Sequence, residues 1–318
     1  MSTAVGSAPP AASDASTAVR TRPRLTAAKK HQYGAAYALV LPFFVIFIAM
    51  MIVPLVYAGY LSLFTKKLIG GTSFAGLENY AKALTDPLFL SGVLRMCIFL
   101  LIQVPIMIGL ALFFALALDS GMMKLARFTR LSIFVPYAVP GVVATLMWGY
   151  LYGPDFGPFA QLTAALGFGP PPFFTPTGML FSIMNIVNWE FIGYNMIVLY
   201  AALRSIPPEL YEAARVDGAS EIRIALSIKI PAIRAGLLLT VIFSVIGTFQ
   251  LFTEPQLLRT LAPNVIGTAY TPNLYAYNVA FVNQDANYAA ALAFLLGIVI
   301  MIVSYIVQLS AQRKERRS

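Results

Sequence analysis

Long apolar blocks recur along this sequence, and they limit the folds open to it more than any other feature. Each block is about 20 residues or longer, enough to cross roughly 30 Å of hydrocarbon as an α-helix. Only 11% of the residues are charged, whereas soluble domains carry about 25%. The sequence therefore predicts an all-α, polytopic membrane protein with six transmembrane helices. The blocks lie at about 35–64, 91–118, 131–152, 177–203, 235–256 and 287–310.

Basic residues are unevenly distributed among the segments that join these blocks. Most Lys and Arg residues lie in the N-terminal flank, in the second and fourth loops, and at the C-terminus. Because Lys and Arg near span ends mark the cytoplasmic side, we expect both termini and the fourth loop to be cytoplasmic. The formal net charge of +9 could suggest binding to nucleic acid. The placement of the basic residues near the span ends instead indicates a multi-pass protein in contact with lipid.

The blocks and the polar segments define four regions of the chain. Residues 1–30, rich in Ala, Ser, Thr and Pro without an apolar period, are predicted to form a disordered cytoplasmic tail. Residues 31–90 hold the first transmembrane helix and an outer loop. Residues 91–310 form the main transmembrane domain, which includes a polar cytoplasmic loop at 204–234. Residues 311–318 form a basic cytoplasmic tail.

The chain offers no residue set for catalysis or metal binding. Cys97 is the single cysteine and His31 the single histidine, so neither a disulfide nor a metal-ligand cluster is predicted. No cluster of His, Cys or carboxylates has catalytic spacing, which argues against a membrane enzyme. No Walker-type glycine-rich loop occurs, so ATP is not bound by that route. We therefore predict no catalytic residue, no metal and no cofactor in this chain.

The loop at 204–234 is too polar to lie in lipid and has the signals of two short helices. Two prolines suit the first turn of the first helix, and two glutamates put negative charge near its positive end. Gly218 can adopt a positive φ and end this helix. A second helix is predicted from about 220 to 230, and Pro231 breaks it before the fifth span. We name this predicted helix-turn-helix the elbow (residues 204–234).

The elbow contains a motif of Glu-Ala-Ala, three residues, Gly, nine residues, Ile, one residue, an aliphatic residue and Pro. Its members are Glu212, Ala213, Ala214, Gly218, Ile228, Ile230 and Pro231. The motif resembles the EAA loop of binding-protein-dependent ABC importer permeases, and Asp217 and Ala219 match the sugar-permease version. Ala225 departs from the pattern, since an aromatic is usual there, and Ile230 stands where Leu is usual. The segment 136–157 is similar to the third-span region of maltose and glycerol-phosphate type permeases.

This resemblance implies a type I ABC importer transmembrane fold in a bacterial inner membrane. It implies that the elbow inserts as a coupling helix into one of two cytoplasmic ATPase subunits, which bind ATP and Mg²⁺. The other implied partners are a second permease subunit, expected to be an unlike chain, and an extracytoplasmic solute-binding protein or lipoprotein. The residues that the resemblance assigns to ATPase coupling are Glu212, Ala213, Ala214, Asp217, Gly218, Ala219 and Pro231.

Polar residues within two of the blocks are candidates for the solute path. Such residues are costly in lipid, which favours a functional role. Amides and carboxylates can bond sugar hydroxyls, and aromatic rings can pack on the C–H faces of a pyranose. The alternative is that the amides only bond neighbouring helices, and that Glu254 is solvated near the outer end of its span. The candidates are Asn185, Asn188, Trp189, Glu190 and Tyr194 in the fourth block, and Gln250 and Glu254 in the fifth.

Three transport functions are compatible with the sequence. The leading hypothesis is the membrane-spanning subunit of an ABC importer for a monosaccharide, an oligosaccharide or a glycerol-phosphate-like solute. An ABC importer for another solute stays open, because the EAA loop is shared across such systems. An ion-coupled secondary transporter would show inverted repeats and a coupling carboxylate at mid-membrane, for which Glu190 alone is thin support.

Overall fold

The computed structural model describes residues 27–67, 71–121 and 125–315, and these residues are mostly helical. The predicted disordered tail lies outside the described residues up to position 26. Its last part, residues 27–30, belongs to helix α1, which begins at Ala27. Helix α15 continues to Glu315, so only the last residues of the predicted basic tail lie outside the described part.

Two compact units divide between Leu55 and Val56. The described part of the first unit is helical, with α1 (Ala27–Phe47), a π-helical turn (Ile48–Ile52) and the start of α2 (Val53–Ser62). The turn widens just before Pro54, where the Val53 N–H donates to the Ile48 carbonyl. This geometry suits a proline, which has no N–H to offer to the helix. Apolar side chains along this helix are exposed, as expected of a surface that meets lipid.

Four described helices are long and apolar enough to cross a membrane, and two bent pairs raise the number to at most six. The prediction of six spans is therefore compatible with the structure, but two of the six are broken. The four continuous candidates are Ala36–Ser62, Pro87–Asp119 (α4), Gly178–Leu203 (α8) and Ala286–Arg313 within α15 (Ala286–Glu315).

The first broken span bends by 96° between Ala126–Ala138 and Gly141–Tyr152. Its parts are α5 (Ala126–Phe134), a 3₁₀ turn (Val135–Ala138) and α6 (Gly141–Tyr152). Pro140 directly precedes α6, and proline disfavours a helical conformation of the residue before it. That residue, Val139, is extended, with φ −78° and ψ 129°. Sequence reasoning treated this region as one continuous span.

The second broken span bends by 69° between Glu221–Ala232 and Arg234–Phe249. The preceding helix is α9 (Glu209–Val216), and the span comprises α10 (Glu221–Ile224), a π-helical turn (Ala225–Lys229), α11 (Ile230–Ala232) and α12 (Arg234–Phe249). The bend follows Pro231, as the sequence predicts. The predicted end of the fifth block at 256 is wrong, because α12 ends at Phe249 and a separate helix begins at Thr253.

Short elements connect the spans. An antiparallel hairpin pairs β1 (Phe64–Lys67) with β2 (Gly71–Phe74), with Phe64 opposite Phe74, and is the one strand pairing among the described residues. The sequence analysis did not predict this hairpin. The remaining elements are α3 (Glu78–Thr85), α7 (Pro158–Ala165), α13 (Thr253–Leu261), α14 (Pro272–Tyr277) and a π-helical turn (Asn278–Val282).

Helices α4 and α8 form the largest helix–helix contact, and α12 packs against both of them and against α15. Ala111 and Ala115 of α4 are fully buried against Met196 and Leu199 of α8. Small residues four apart on one helix let a neighbouring helix approach closely, which is the usual basis of packing within a membrane. This contact positions the middle of α4 and α8, where the polar side chains lie.

Candidate functional site

A cavity of about 300 Å³ lies between α4, α8, α12 and the start of α13. Its wall combines aromatic rings with amide, hydroxyl and carboxylate groups, a mixture typical of sites for small organic ligands. The lining residues are Phe99, Gln103, Met107, Val187, Phe191, Tyr194, Asn195, Phe243, Ser244, Gly247, Thr248, Gln250, Leu251, Phe252, Thr253 and Glu254.

Three of the predicted solute-path residues line this cavity. Tyr194 stacks on Tyr137, with ring centroids 4.8 Å apart. Gln250 follows the last turn of α12, and Glu254 lies in the first turn of α13 with only 8% of its surface exposed. Because α12 ends at Phe249, Gln250 lies in the connection to α13 and Glu254 in α13 itself, and neither belongs to a continuous span. The position at a helix N-terminus is electrostatically favourable for the Glu254 carboxylate.

Gln103 on α4 contributes to the cavity, and the sequence analysis missed it. Its Nε2 donates to the Asn188 Oδ1 at 2.9 Å and lies 3.3 Å from the Met107 sulfur. Asn195 Nδ2 also lies 3.7 Å from this sulfur. Asn188 therefore contacts a residue of the cavity wall without being part of the wall itself. The signal available in the sequence was an amide inside the second apolar block, where no other strongly polar side chain occurs between Cys97 and Leu118.

Asn185 and Trp189 lie apart from this cavity. Asn185 Nδ2 donates to the Tyr152 hydroxyl at 2.7 Å, and both residues line a separate, more open cavity with Trp148. The Trp189 ring meets the Trp148 ring edge-on at 5.9 Å. Among the α8 candidates, Tyr194 therefore lines one cavity and Asn185 the other.

Glu190 is buried, with 5% of its surface exposed, and does not line the cavity. A Cβ placed on Gly141 would lie 3.3 Å from the Glu190 Oε1, so the carboxylate abuts the first residue of α6. The positive end of a helix stabilises a negative charge. This placement favours a structural role for Glu190 at the bend of the first broken span.

The elbow is closed by a Schellman turn around Gly218. The Ala219 N–H donates to the Ala214 carbonyl at 2.9 Å, and the Gly218 N–H donates to the Arg215 carbonyl at 3.0 Å. Gly218 has a φ of 78°, a conformation that glycine adopts at little cost. Ser220 then caps α10 by accepting from the Arg223 N–H. The predicted helix, glycine turn and second helix are all present, with a π-helical turn inside the second helix.

The elbow exposes both the small residues of the motif and several large apolar side chains. Glu212, Ala213, Asp217 and Gly218 are exposed, whereas Ala214 and Ala219 are half-buried. The large apolar residues were not singled out by the sequence analysis. They are Leu210, Val216 (88% exposed), Ile222 (72% exposed) and Leu226. Exposed apolar side chains clustered within a polar segment are typical of a protein-binding surface.

A helical membrane protein with two broken spans, an internal cavity and an exposed elbow has the architecture of a transporter's membrane subunit. A family model matches residues 80–317. The chain belongs to that family, the inner membrane components of binding-protein-dependent transport systems.

Curated relatives include several sugar-transport permeases. The chain is 29% identical to the arabinooligosaccharides transport system permease AraP of Bacillus subtilis, over 86% of this chain and 87% of the relative. It is 29% identical to the lactose transport system permease LacF of Rhizobium radiobacter, over 84% and 90%. It is 28% identical to the diacetylchitobiose uptake system permease NgcF of Streptomyces coelicolor, over 74% and 70%.

A solved structure has the same fold. It is a bacterial ABC transporter involved in the import of the acidic polysaccharide alginate. Its matching chain aligns with a TM-score of 0.76 at 18% identity, covering 89% of this chain and 96% of that chain. The likeness confirms the predicted type I importer fold. Together with the family match and the transport-system permeases among the relatives, this makes the chain a permease subunit of an ABC importer.

Proposed function

We propose that this permease carries a neutral mono- or oligosaccharide and that the cavity between α4, α8 and α12 is part of its path. The observation that carries the proposal is the cavity wall. Phe191, Tyr194 and Phe252, none of which is fully buried, supply rings for the C–H faces of a sugar. Gln250 and Glu254 supply an amide and a carboxylate for its hydroxyls, whereas the buried Gln103 and Asn195 amides already donate to Asn188 and to the Phe191 carbonyl. The sugar-transport relatives support the same solute class.

The charges of the cavity favour a neutral solute over an anionic one. None of the described residues that line it is Lys, Arg or His, and Glu254 adds a carboxylate. A phosphate or uronate group there would lose water without gaining a cation from this chain, which costs on the order of several kcal/mol. The fold does not determine this preference, since the solved relative imports an acidic polysaccharide.

The exposed elbow is consistent with transport that is powered by another subunit. We propose that it faces the cytoplasm with both termini and docks on one of two ATPase subunits, which bind ATP and Mg²⁺. The exposed Glu212, Ala213 and Gly218 and the exposed Val216 and Ile222 form a compact tip suited to a groove. A second permease subunit would complete the path, and an extracytoplasmic binding protein would deliver the sugar.

The test is uptake by proteoliposomes that contain this chain with its partner permease, ATPase subunits and binding protein. Neutral oligosaccharides should enter only when ATP is present on the elbow side. A matched uronate, identical except for a carboxylate at C6, should enter at least about tenfold more slowly, as expected when an unpaired charge is desolvated. Equal uptake of the two sugars would contradict the charge preference. ATP-independent uptake driven by an ion gradient would contradict the importer mechanism.

A further inference from the structure

Asp119 and Lys229 form a buried ion pair that neither the motif nor the cavity explains. The Lys229 Nζ lies 2.6 Å from the Asp119 Oδ2, and each side chain is 4% exposed. Asp119 is the last residue of α4. Lys229 is the last residue of the π-helical turn between the elbow's α10 and α12. The pair therefore joins the end of a spanning helix to the base of the elbow.

Stability alone gives a weak reason for this pair. Burying two charges costs desolvation that their attraction only partly offsets, and apolar residues of similar volume are often as stable. Asp119 also lies at the C-terminal end of α4, where the helix dipole disfavours negative charge. The pair instead fixes the position of one residue of α4 relative to one residue of the elbow.

Lys229 also contacts the first helix of the elbow. Its Nζ lies 4.7 Å from the centroid of the Tyr211 ring. Tyr211 is on α9, directly before the Glu-Ala-Ala motif, and α9 has no fully buried side chain. The Tyr211 hydroxyl is buried and has no hydrogen-bond partner among the described residues. Lys229 thus connects α9, the base of the elbow and α4 through one ammonium group.

The same helix α4 reaches the cavity. Phe99, Gln103 and Met107 of α4 line its wall, and Asp119 lies further along the same helix. A displacement of α9 that is passed to Asp119 would therefore act on an element that forms part of the cavity. Coupling between distant sites needs such a chain of packed groups or rigid elements.

We propose that the Asp119–Lys229 pair, with the Tyr211 ring, is the joint that transmits movement of α9 to α4. The proposal rests on the proposed docking of the elbow to an ATPase subunit. In it Asp119 and Lys229 are positioning residues that touch neither solute nor nucleotide. Their charges keep the elbow and α4 in a fixed register, so that movement of one moves the other.

The experiment measures solute transported per ATP hydrolysed in the reconstituted complex, together with its melting temperature. Lys229→Met and Asp119→Asn each leave one buried charge without its partner and should lower this ratio about tenfold, within the usual range of coupling between sites. Lys229→Arg keeps the cation and is the matched control, with a ratio within about twofold of wild type. The exchanged pair Asp119→Lys with Lys229→Asp should recover most of the ratio.

The double variant Asp119→Leu with Lys229→Met separates coupling from packing. It removes both charges together, so its melting temperature should stay near that of wild type. Retained stability with a low transport ratio supports the joint. A wild-type ratio in this double variant, or in Lys229→Met, overturns it, because the pair is then only packing. If the double variant fails to assemble, the exchanged pair decides: recovery of the ratio supports the joint and no recovery overturns it. ATP-dependent uptake by the wild-type complex tests the proposed function separately.

Discussion

The Ala219 N–H donates to the Ala214 carbonyl across Gly218, and this bond closes the elbow at its exposed tip. Apart from Gly218 itself and its two chain neighbours, no atom of the described residues lies within 4 Å of the position that a Cβ would occupy there. A substitution therefore meets no neighbour within this chain and costs only the strain of a positive φ, about 1–2 kcal/mol for an L-residue. A Cβ at this tip would therefore point into open space.

Gly218→Asp should abolish uptake while the protein still accumulates in the membrane. The added carboxylate would occupy the tip that we propose to enter an ATPase groove, whereas the fold loses only the backbone strain. Gly218→Asn is the matched control, because asparagine tolerates positive φ and adds no charge. Uptake and membrane levels of both variants are the measurements. Normal uptake by Gly218→Asp would contradict the proposed role of Gly218 in ATPase coupling.

Gln250→Ala should raise the sugar concentration needed for half-maximal uptake by about tenfold. The side chain lines the cavity, and a lost hydrogen bond to a ligand hydroxyl is worth about 0.5–1.5 kcal/mol, more when a sugar group is left unpaired. Asn185→Ala is the control, because Asn185 lines the other cavity and should change this concentration less than about twofold. The measurement is initial uptake rate against sugar concentration. Equal shifts in the two variants would argue against the cavity as the solute path.

The sequence predicted the elbow closely and the cavity only in part, for a physical reason. The elbow is a local structure: Gly218 and Pro231 act on the residues next to them, so their effects can be read from the sequence. The cavity depends on which faces of α4, α8 and α12 meet. Apolar and polar residues alternate on α8 without revealing that Asn185 and Tyr194 open into different spaces. The Gln103 side chain is positioned by its hydrogen bond to Asn188, a residue 85 positions away.

The broken spans show the same limit. Composition identified 131–152 and 235–256 as long enough to cross a membrane, which a bent segment of the same length also satisfies. The bend at Pro140 involves the Glu190 carboxylate against Gly141, and this contact between distant segments has no local signal. The bend near Pro231 was predictable, because proline acts within its own turn.

Gly193→Ala should destabilise the permease strongly. A Cβ at this position of α8 would overlap the backbone carbonyl oxygen of Ile133 in α5, and backbone cannot move aside as a flexible side chain can. Overpacking of this kind costs about 1–3 kcal/mol or more. Gly109→Ala on α4 is the control, because no atom lies within 4 Å of its Cβ position. The measurement is the melting temperature in detergent, and a value for Gly193→Ala equal to that of Gly109→Ala would contradict the close contact.

Asp86→Asn should destabilise the protein at neutral pH but not in acid. Asp86 accepts hydrogen bonds from the Tyr275 and Tyr288 hydroxyls, each at 2.7 Å, and from the Leu88 N–H. Partial burial by itself would raise the pKa of this carboxyl, but the two tyrosine hydroxyls and the backbone N–H groups outweigh it and lower the pKa below its ordinary value. Hydrogen bonds to a charged group are worth about 1.5–3 kcal/mol, and the half-buried position puts this one at the low end.

The sign of the pH dependence follows from the lowered pKa. The ionised Asp86 stabilises the folded state above the ordinary carboxyl pKa of about 3.9, and this stabilisation is lost as the pH falls through the lower folded-state pKa. Asparagine keeps one oxygen for the cap at the start of α4 but has an NH2 group in place of the other, so Asp86→Asn, like protonation, removes the charged acceptor of the two tyrosine hydroxyls. Melting temperatures of wild type and variant should differ at pH 7, begin to converge below about pH 4 and coincide only once the pH is below the lowered folded-state pKa. A difference that is the same at both pH values would show that the charge of Asp86 does not stabilise this junction of α4, α14 and α15.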